Sequence, residues 1–586
     1  MENHTYAIDY ESYYDDNLSI TVQGPKMYAA AADAYMVSIV GTDGLEYVGA
    51  PSDAPWGAIH RAEWVSHNRT FDRALWEAGA TPDSPFPSRW NCSADMCAYL
   101  GIPRSLAAAT AQIYDTPVDK TVRAKMNGIT FDSLSPAAIE ELEEYALEDS
   151  RLCLRLWEDH KDSFPEQERR ASEHTTTMAL RGIPIDWDAW DAGYSALCVE
   201  RDRIRDVFPW AGTQFEGKPV PLTSPRAWAR WCAAEGVLPP ASIAKKSEAL
   251  QTWLSQDHPP AAVEIVEAFQ GYRSINRTLK VVKSMGGRSE GDTCYPSLKY
   301  FGAHTGRWAG DAGLNMQNLT TREVGGVHLR HLFGCAPGET FVICDLGQIE
   351  ARVLLWMVED KAQLDLIRGG MDVYEAHART TMGYKDPRPM SEGDPTQRKM
   401  AKARVLGLGY GCGASRFHSL AKEWGLSVTP AEADEIVTGY RKANPGITAL
   451  WKAQDDKFRG SIGGDWFMKL PSGRHLPYRN IRVNQGTHQV MAETVLGHPL
   501  GYYGGKLVEN QIQGIARDIL RDKILDVERE IGNVVLHVHD EIVVKTSVDG
   551  AEEVAKRLEA IMTCSKDWYG TLPLAATATI TRHFDK

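Results

Sequence analysis

Two runs of apolar, strand-forming residues that lead into carboxylates constrain this chain more than any other feature. FVICD at 341–345 reads as a buried strand ending on Asp345, and VVLHVHDEIVVKT from Val534 reads as two apolar strands joined by a tip that carries His539, Asp540 and Glu541. An acid at the end of an apolar strand is costly unless water or a cation meets it. Between these runs, roughly residues 350–495, the pattern is mostly helical, which predicts a helical insertion inside a sheet-bearing domain. Length allows more than that domain: at ~150 residues each, 586 residues predict about three to four domains.

Residues 1–160 alternate strand-like and helix-like pieces, as an α/β domain does. The Gly-Ile-Pro break within Arg181 to Trp187 predicts a boundary, followed by helices to about residue 285 and a polar linker at Gly286 to Asp292. Hydrophobic residues make up 43% and charged residues 24%, with no apolar run near the ~18 residues of a membrane span, so collagen-like, disordered and membrane classes drop out. The net charge of -14 gives no global basic field, so nucleic acid would have to meet a local basic groove. Ten cysteines without a C-x-x-C pair argue against a disulfide scaffold or zinc ribbon and suit a reducing cytosol. MENHTYAIDYES has neither a basic nor an apolar leader segment, so secretion is not expected. His537 and His539 have strand spacing but no third ligand nearby, so zinc is not expected there.

In AIDYESY, the two-residue strand period puts Asp9 and Glu11 on one face. In YALEDSRL, Tyr145 and Asp149 share a helix face, and Asp72 sits where a helix begins, with Asn68 one turn before it. Singly, each acid reads as a solvated surface group. Like charges ~4 Å apart repel by about 1 kcal/mol in water and about 4 kcal/mol at an effective dielectric of 20, so several acids converge only around cations. If these converge, four carboxylates and a tyrosine are what a two-metal phosphodiesterase requires.

DPTQRKMAKARVLGLGY opens a helix with Asp394 as N-cap, Pro395 in the first position and Gln397 after it. Arg398, Lys402, Leu406 and Tyr410 then recur every four residues on one side, a stripe suited to a nucleoside triphosphate, with cations toward phosphates and apolar and aromatic surface toward sugar and base. The bland alternative is a solvated basic face whose end packs in a core. Gly407, Gly409 and Cys412 do not complete a dinucleotide fingerprint, and no Walker A sequence occurs.

Taken together, these segments resemble the family A DNA polymerases, the group of bacterial DNA polymerase I and many bacteriophage replicases, over nearly the whole chain. DLGQIEAR at 345–352 is similar to motif A, RKMAKARVLGLGYG at 398–411 to motif B and VHDE at 538–541 to motif C. HTGRW (304–308), NMQN (315–318) and QIQG (511–514) are similar to its primer-template segments, and D-x-E, N-x-x-x-D and Y-x-x-x-D at 9–11, 68–72 and 145–149 to its exonuclease motifs.

The resemblance implies an α/β and α+β multidomain fold: a ribonuclease H-like exonuclease domain at 1–165, linker helices and thumb at 166–300, palm at 301–358 and 495–586, and fingers at 359–494, forming a right-hand polymerase. It implies two Mg²⁺ ions at each site, with Mn²⁺ as substitute, held by Asp345 and Asp540 for synthesis and by Asp9, Glu11, Asp72 and Asp149 for editing, where Tyr145 orients water. Glu541 would support the first site and Glu350 would act as a steric gate. Arg398, Lys402, Leu406, Tyr410, Gln348 and Tyr374 would meet the dNTP, with Lys402 also a proton donor to the leaving pyrophosphate. Tyr374 stands where a phosphate-binding histidine is common, and a phenol donates a single hydrogen bond. Arg307, Asn315, Gln317, Asn318, Arg322, Gln513 and His539 would contact primer-template DNA. The implied protein is a replicative, phage-type monomer of the host cytoplasm that works with a helicase or processivity factor and has no 5′ nuclease. A nuclease whose second half only grips DNA, a single-subunit RNA polymerase and a non-enzymatic DNA scaffold are the competing readings.

Overall fold

In a computed structural model that describes residues 4–116, 121–245, 247–311, 313–494 and 498–585, the first sheet has five strands, in the order Glu46–Gly49, Met36–Gly41, Thr5–Glu11, Glu63–Ser66 and Arg89–Cys92. Thr5–Glu11 is central, antiparallel to Met36–Gly41 and parallel to Glu63–Ser66. Within it only Asp9 and Glu11 escape full burial, so the strand period does turn both acids to one accessible face. Helix Pro136–His160 packs across this sheet; it starts at Ser135, whose side chain accepts from the Ala138 amide, with Pro136 in the first position.

The second sheet has four antiparallel strands in the order Val534–Val538, Glu541–Ser547, Glu339–Leu346 and Ala576–Thr581. Glu339–Leu346 is paired on both edges and apolar along its middle, and near its end Asp345 breaks the burial. Helices between Ile349 and Gly460 lie between the two halves of this sheet in the chain, as the alternation of apolar patterns predicts.

Two expectations fail. The helical stretch does not run to 495, because Trp466–Lys469, His475–Val483, Val490–Glu493 and Pro499–Gly501 form a third antiparallel sheet. Its longest strand, HLPYRNIRV, alternates buried and exposed residues, but interspersed Arg, Asn and Pro weaken the apolar signal. Nor is Gly286 to Asp292 a linker. Ser289–Glu290 pairs with Thr293–Cys294, which in turn pairs with Ile183–Pro184. Arg288 inside this hairpin is fully buried and donates to the Thr21 carbonyl at 2.7 Å and the Ser284 hydroxyl at 3.0 Å, tying the hairpin to the first domain.

Helix Glu166–Arg181 packs on Arg89–Cys92 of the first sheet and on Val534–Val538 of the second. Its Glu168 is buried and accepts from Arg517 and Arg521 of helix Gly504–Glu530, each at 2.6 Å, and from the Tyr300 hydroxyl at 2.5 Å. Burial pushes the Glu168 carboxyl up, but the two guanidiniums outweigh it and hold the group well below the usual carboxylate range. The expected division at 494/495 falls against residues 495–497, which lie outside the described residues. Among the described residues no helix is long and apolar enough to cross a membrane.

Candidate active sites

The second sheet sets Asp345 opposite Glu541 on one neighbouring strand and opposite Thr577 on the other. The Leu346 amide donates to the Asp540 carbonyl at 3.0 Å, so the ends of the two acid-bearing segments are stitched together. The tip between the strands is tight because His539 takes a left-handed φ of 54°. Gln317 clamps it: its amide nitrogen donates to the His537 carbonyl at 2.8 Å, and its carbonyl accepts from the His539 amide at 2.9 Å. Both ends of the Gln317 amide therefore serve the tip, and the side chain lies buried beneath it. Glu541 is not a solvated tip residue either. It is 2% exposed and faces Arg330 at 3.7 Å, whereas Asp345 and Asp540 are half-buried. Two half-buried carboxylates at one sheet end offer only oxygen donors, the set that suits a hard divalent cation.

The basic helix begins as expected, with the Asp394 carboxylate accepting from the Gln397 amide at 2.9 Å and Pro395 in the first turn. It stays regular only over Pro395–Ala403, and Arg404–Leu408 form a π-turn. The even four-residue stripe is therefore broken between Lys402 and Tyr410. Arg398 pairs with Asp372 at 2.9 Å, and Arg398 and Lys402 lie over the Tyr374 ring at 5.5 and 6.0 Å. Burial raises the Tyr374 phenol, with Arg398 opposing and Asp372 and Asp540 adding, which connects this cationic face to the acid-bearing sheet end. Lys402 and Leu406 are exposed.

Tyr410 lies beside Glu350, Glu509 and Arg307. Burial raises its phenol well above the usual range and the two acids add to it. Glycine at 505 permits this position, because a Cβ there would overlap the Tyr410 carbonyl. Glu350 is ion-paired with Arg307. Gln348 caps helix Ile349–Met357 in a left-handed conformation, φ 55°, and its side-chain carbonyl accepts from the Val373 amide at 3.0 Å, spanning the start of the helical stretch. Gln513 donates to Glu509 at 3.4 Å. Asn315, Asn318, Arg322 and His539 are exposed.

In the first half, Asp9, Glu11, Asp72, Tyr145 and Asp149 line one cavity of about 290 Å³. The Tyr10 amide donates to Asp72 at 3.1 Å, fixing the helix Arg69–Gly79 against the central strand. Burial pushes the carboxyls up: Glu11 to about 7, Asp72 to about 8, and Asp9 well above its ordinary value, where the charges of Asp72, Glu11 and Asp149 add to desolvation. Burial also raises the Tyr145 phenol, with Asp149, its hydrogen-bond partner, adding to the effect. Three carboxyls raised by burial and by neighbouring acids, with Asp149 lining the same cavity, fit a site built for divalent cations. Arg123 from Thr121–Lys125 also lines the cavity and lowers Asp9 and Glu11. No sequence pattern singled it out.

The family model for DNA polymerase family A matches residues 219–586, more than half of the chain. The chain belongs to DNA polymerase family A. It is similar to the DNA polymerase of Bacillus phage SP02, 26% identical over 581 aligned residues that cover 85% of this chain and 86% of that protein. It is 25% identical to DNA polymerase I of Pseudomonas aeruginosa over 471 residues, 74% of this chain and 46% of that longer protein. Among solved structures, the polymerase domain of Pol1 from M. smegmatis, in complex with DNA primer-template and dNTP, shares the fold at a TM-score of 0.70 and 18% identity, covering 100% of this chain and 96% of that one. In this family A chain the Asp345 sheet end and the basic helix lie inside the matched segment, and the 290 Å³ cavity lies before it.

Proposed function

We propose that the chain is a template-directed DNA polymerase, of phage replicase type, with a 3′→5′ proofreading exonuclease in its first half. The single observation that carries the synthetic reading is the bond from the Leu346 amide to the Asp540 carbonyl, which brings the Asp345 and Asp540 segments to one sheet end, with Tyr374 under Arg398 and Lys402 in electrostatic reach of Asp540, in a family A fold. The segments 301–358 and 495–586 act as palm, 359–494 as fingers, 166–300 as linker and thumb, and 1–165 as the exonuclease domain. Asp345 and Asp540 would hold Mg²⁺ or Mn²⁺, as would Asp9, Glu11, Asp72 and Asp149. Bound there, such ions supply charge neutralisation on the phosphate and a more acidic hydroxyl or water.

The chain's own residues do the rest. Arg398 and Lys402 bind the triphosphate, and Lys402, an exposed residue, delivers a proton to the departing pyrophosphate. Tyr374 orients these two cations from beneath. Tyr410 stacks beside the nascent pair, with Leu406 and Gln348 completing the nucleotide pocket, and Glu350, braced by Arg307, closes the space that a ribose 2′-hydroxyl would need. Gln317 acts as a positioning residue for Asp540 through the clamped tip. Asn315, Asn318, Arg322, Gln513 and His539 track primer-template DNA, largely through backbone contacts that accept any sequence. In the first half Tyr145 orients the attacking water.

Primer extension in Mg²⁺ tests the reading. Lengthening with dNTPs and shortening without them is the expected pair of results. A chain that does neither, or that extends equally well with rNTPs, defeats it.

A further inference from the structure

The turn Leu329–Leu332 and the C-terminal tail bring His328, His331 and Asp585 together. Their donor atoms all lie within 4.8 Å of one another. His331 Nε2 is 2.7 Å from Asp585 Oδ2 and His328 Nε2 is 4.0 Å from Oδ1, values that bracket the edge of about 3.3 Å that a tetrahedral zinc site needs. The two imidazoles stack at 3.9 Å with 28° between planes, which holds both rings beside the Asp585 carboxylate.

The backbone already preorganises the cluster. The Phe584 amide donates to the Phe333 carbonyl at 2.9 Å and the Cys335 amide to the Arg582 carbonyl at 3.0 Å, pinning the tail against the turn on both sides of Phe584, which is fully buried. His583 is engaged with Asp186 at 3.1 Å, so it is not counted among the ligands. We propose that His328, His331 and Asp585 bind a zinc-class dication, with solvent in the fourth position. Two imidazoles and one carboxylate favour such a metal over Mg²⁺, which prefers oxygen alone.

The site lies apart from the acid clusters described above and does not depend on the polymerase reading. Its structural effect is local: the turn between the two histidines carries Arg330, which packs over Phe584 at 4.5 Å and faces Glu541. A bound ion would staple the tail to that turn. The pair His328-x-x-His331 is visible in the sequence, but its third ligand lies at the opposite end of the matched domain.

The test uses the full chain, stripped of metal with a chelator and titrated with micromolar Zn²⁺ in millimolar Mg²⁺, so that the carboxylate clusters stay filled with Mg²⁺. A single tight Zn²⁺ equivalent, zinc-edge X-ray absorption showing two imidazoles, and a rise of several degrees in the melting midpoint are expected for the native chain. His331→Gln and Asp585→Asn should lose the tight equivalent and the rise. Equal uptake by native and variant chains, or a native spectrum without imidazole scattering, overturns the proposal; the native spectrum decides even if a variant folds poorly.

Discussion

Asp345 and Glu541 face each other across adjacent antiparallel strands, yet the first is half-exposed and the second is sealed against Arg330. The sheet register thus leaves one of two facing acids accessible and buries the other, and Asp540, beside Glu541 in the chain, is tied to the accessible end through its carbonyl, which accepts from the Leu346 amide next to Asp345.

Asp345→Asn and Asp540→Asn should each lower primer extension by roughly 10³-fold while leaving primer shortening in place. Asp72→Asn should do the reverse. Glu541→Gln should cost stability instead, on the order of 3 kcal/mol, because it leaves the buried Arg330 without its counter-charge. Paired extension and urea-unfolding assays on the four variants separate these effects.

Gln317→Leu keeps much of the side-chain volume but removes both bonds to the tip. Leaving the His539 amide and the His537 carbonyl unmatched should cost about 1–3 kcal/mol. If Gln317 positions Asp540, kcat should fall with KM for dNTP little changed; a rise confined to the DNA Kd would assign it to template contact instead.

The Arg307–Glu350 pair predicts a specificity change. Glu350→Ala should raise the rNTP-to-dNTP ratio of kcat/KM by about 10- to 100-fold by opening the space beside the sugar. Competition between rNTP and dNTP on one primer measures it, and an unchanged ratio would remove Glu350 from that role.

Three histidines with ring nitrogens shielded from water predict acid sensitivity. Burial holds His304 down to about 4, and His377 and His537 to about 3, with nearby cations adding to each shift. The unfolded chain, with ordinary histidines near 6.5, binds more protons than the folded one between about pH 3 and 6.5, so their contribution is complete above pH 6.5 and shrinks on acidification. Each histidine contributes up to about 1.4 kcal/mol of lost stability per pH unit in its window. Urea midpoints at pH 7.5 and 5 should differ accordingly, and His377→Gln should flatten part of that dependence.

The strands that end near Asp345 and Asp540 were legible because long apolar runs leave little choice of structure. Asp9 and Glu11 were legible as a pair because strand period is local. Their convergence with Asp72 was not, since it depends on the parallel pairing of Thr5–Glu11 with Glu63–Ser66 and the helix that follows. Arg123, the Gln317 clamp and the burial of Arg288 were invisible for the same reason: each is defined by a partner far away in the chain. The π-turn after Ala403 escaped because residue spacing alone does not distinguish an i+4 from an i+5 helical bond.

The Glu168 junction has a mechanical consequence. Prising helix Glu166–Arg181 from helix Gly504–Glu530 would part buried Glu168 from both of its guanidiniums, which would keep only Asp518 and Asp522 of their own helix, a penalty of several kcal/mol that ordinary thermal motion rarely meets. The cavity lined by Asp9 and the sheet end carrying Asp345 are thus bolted to a common chassis. Fluorescent labels on the two halves should report one separation with or without DNA, and under the proposed function a strand end that is both extended and trimmed must itself make the journey.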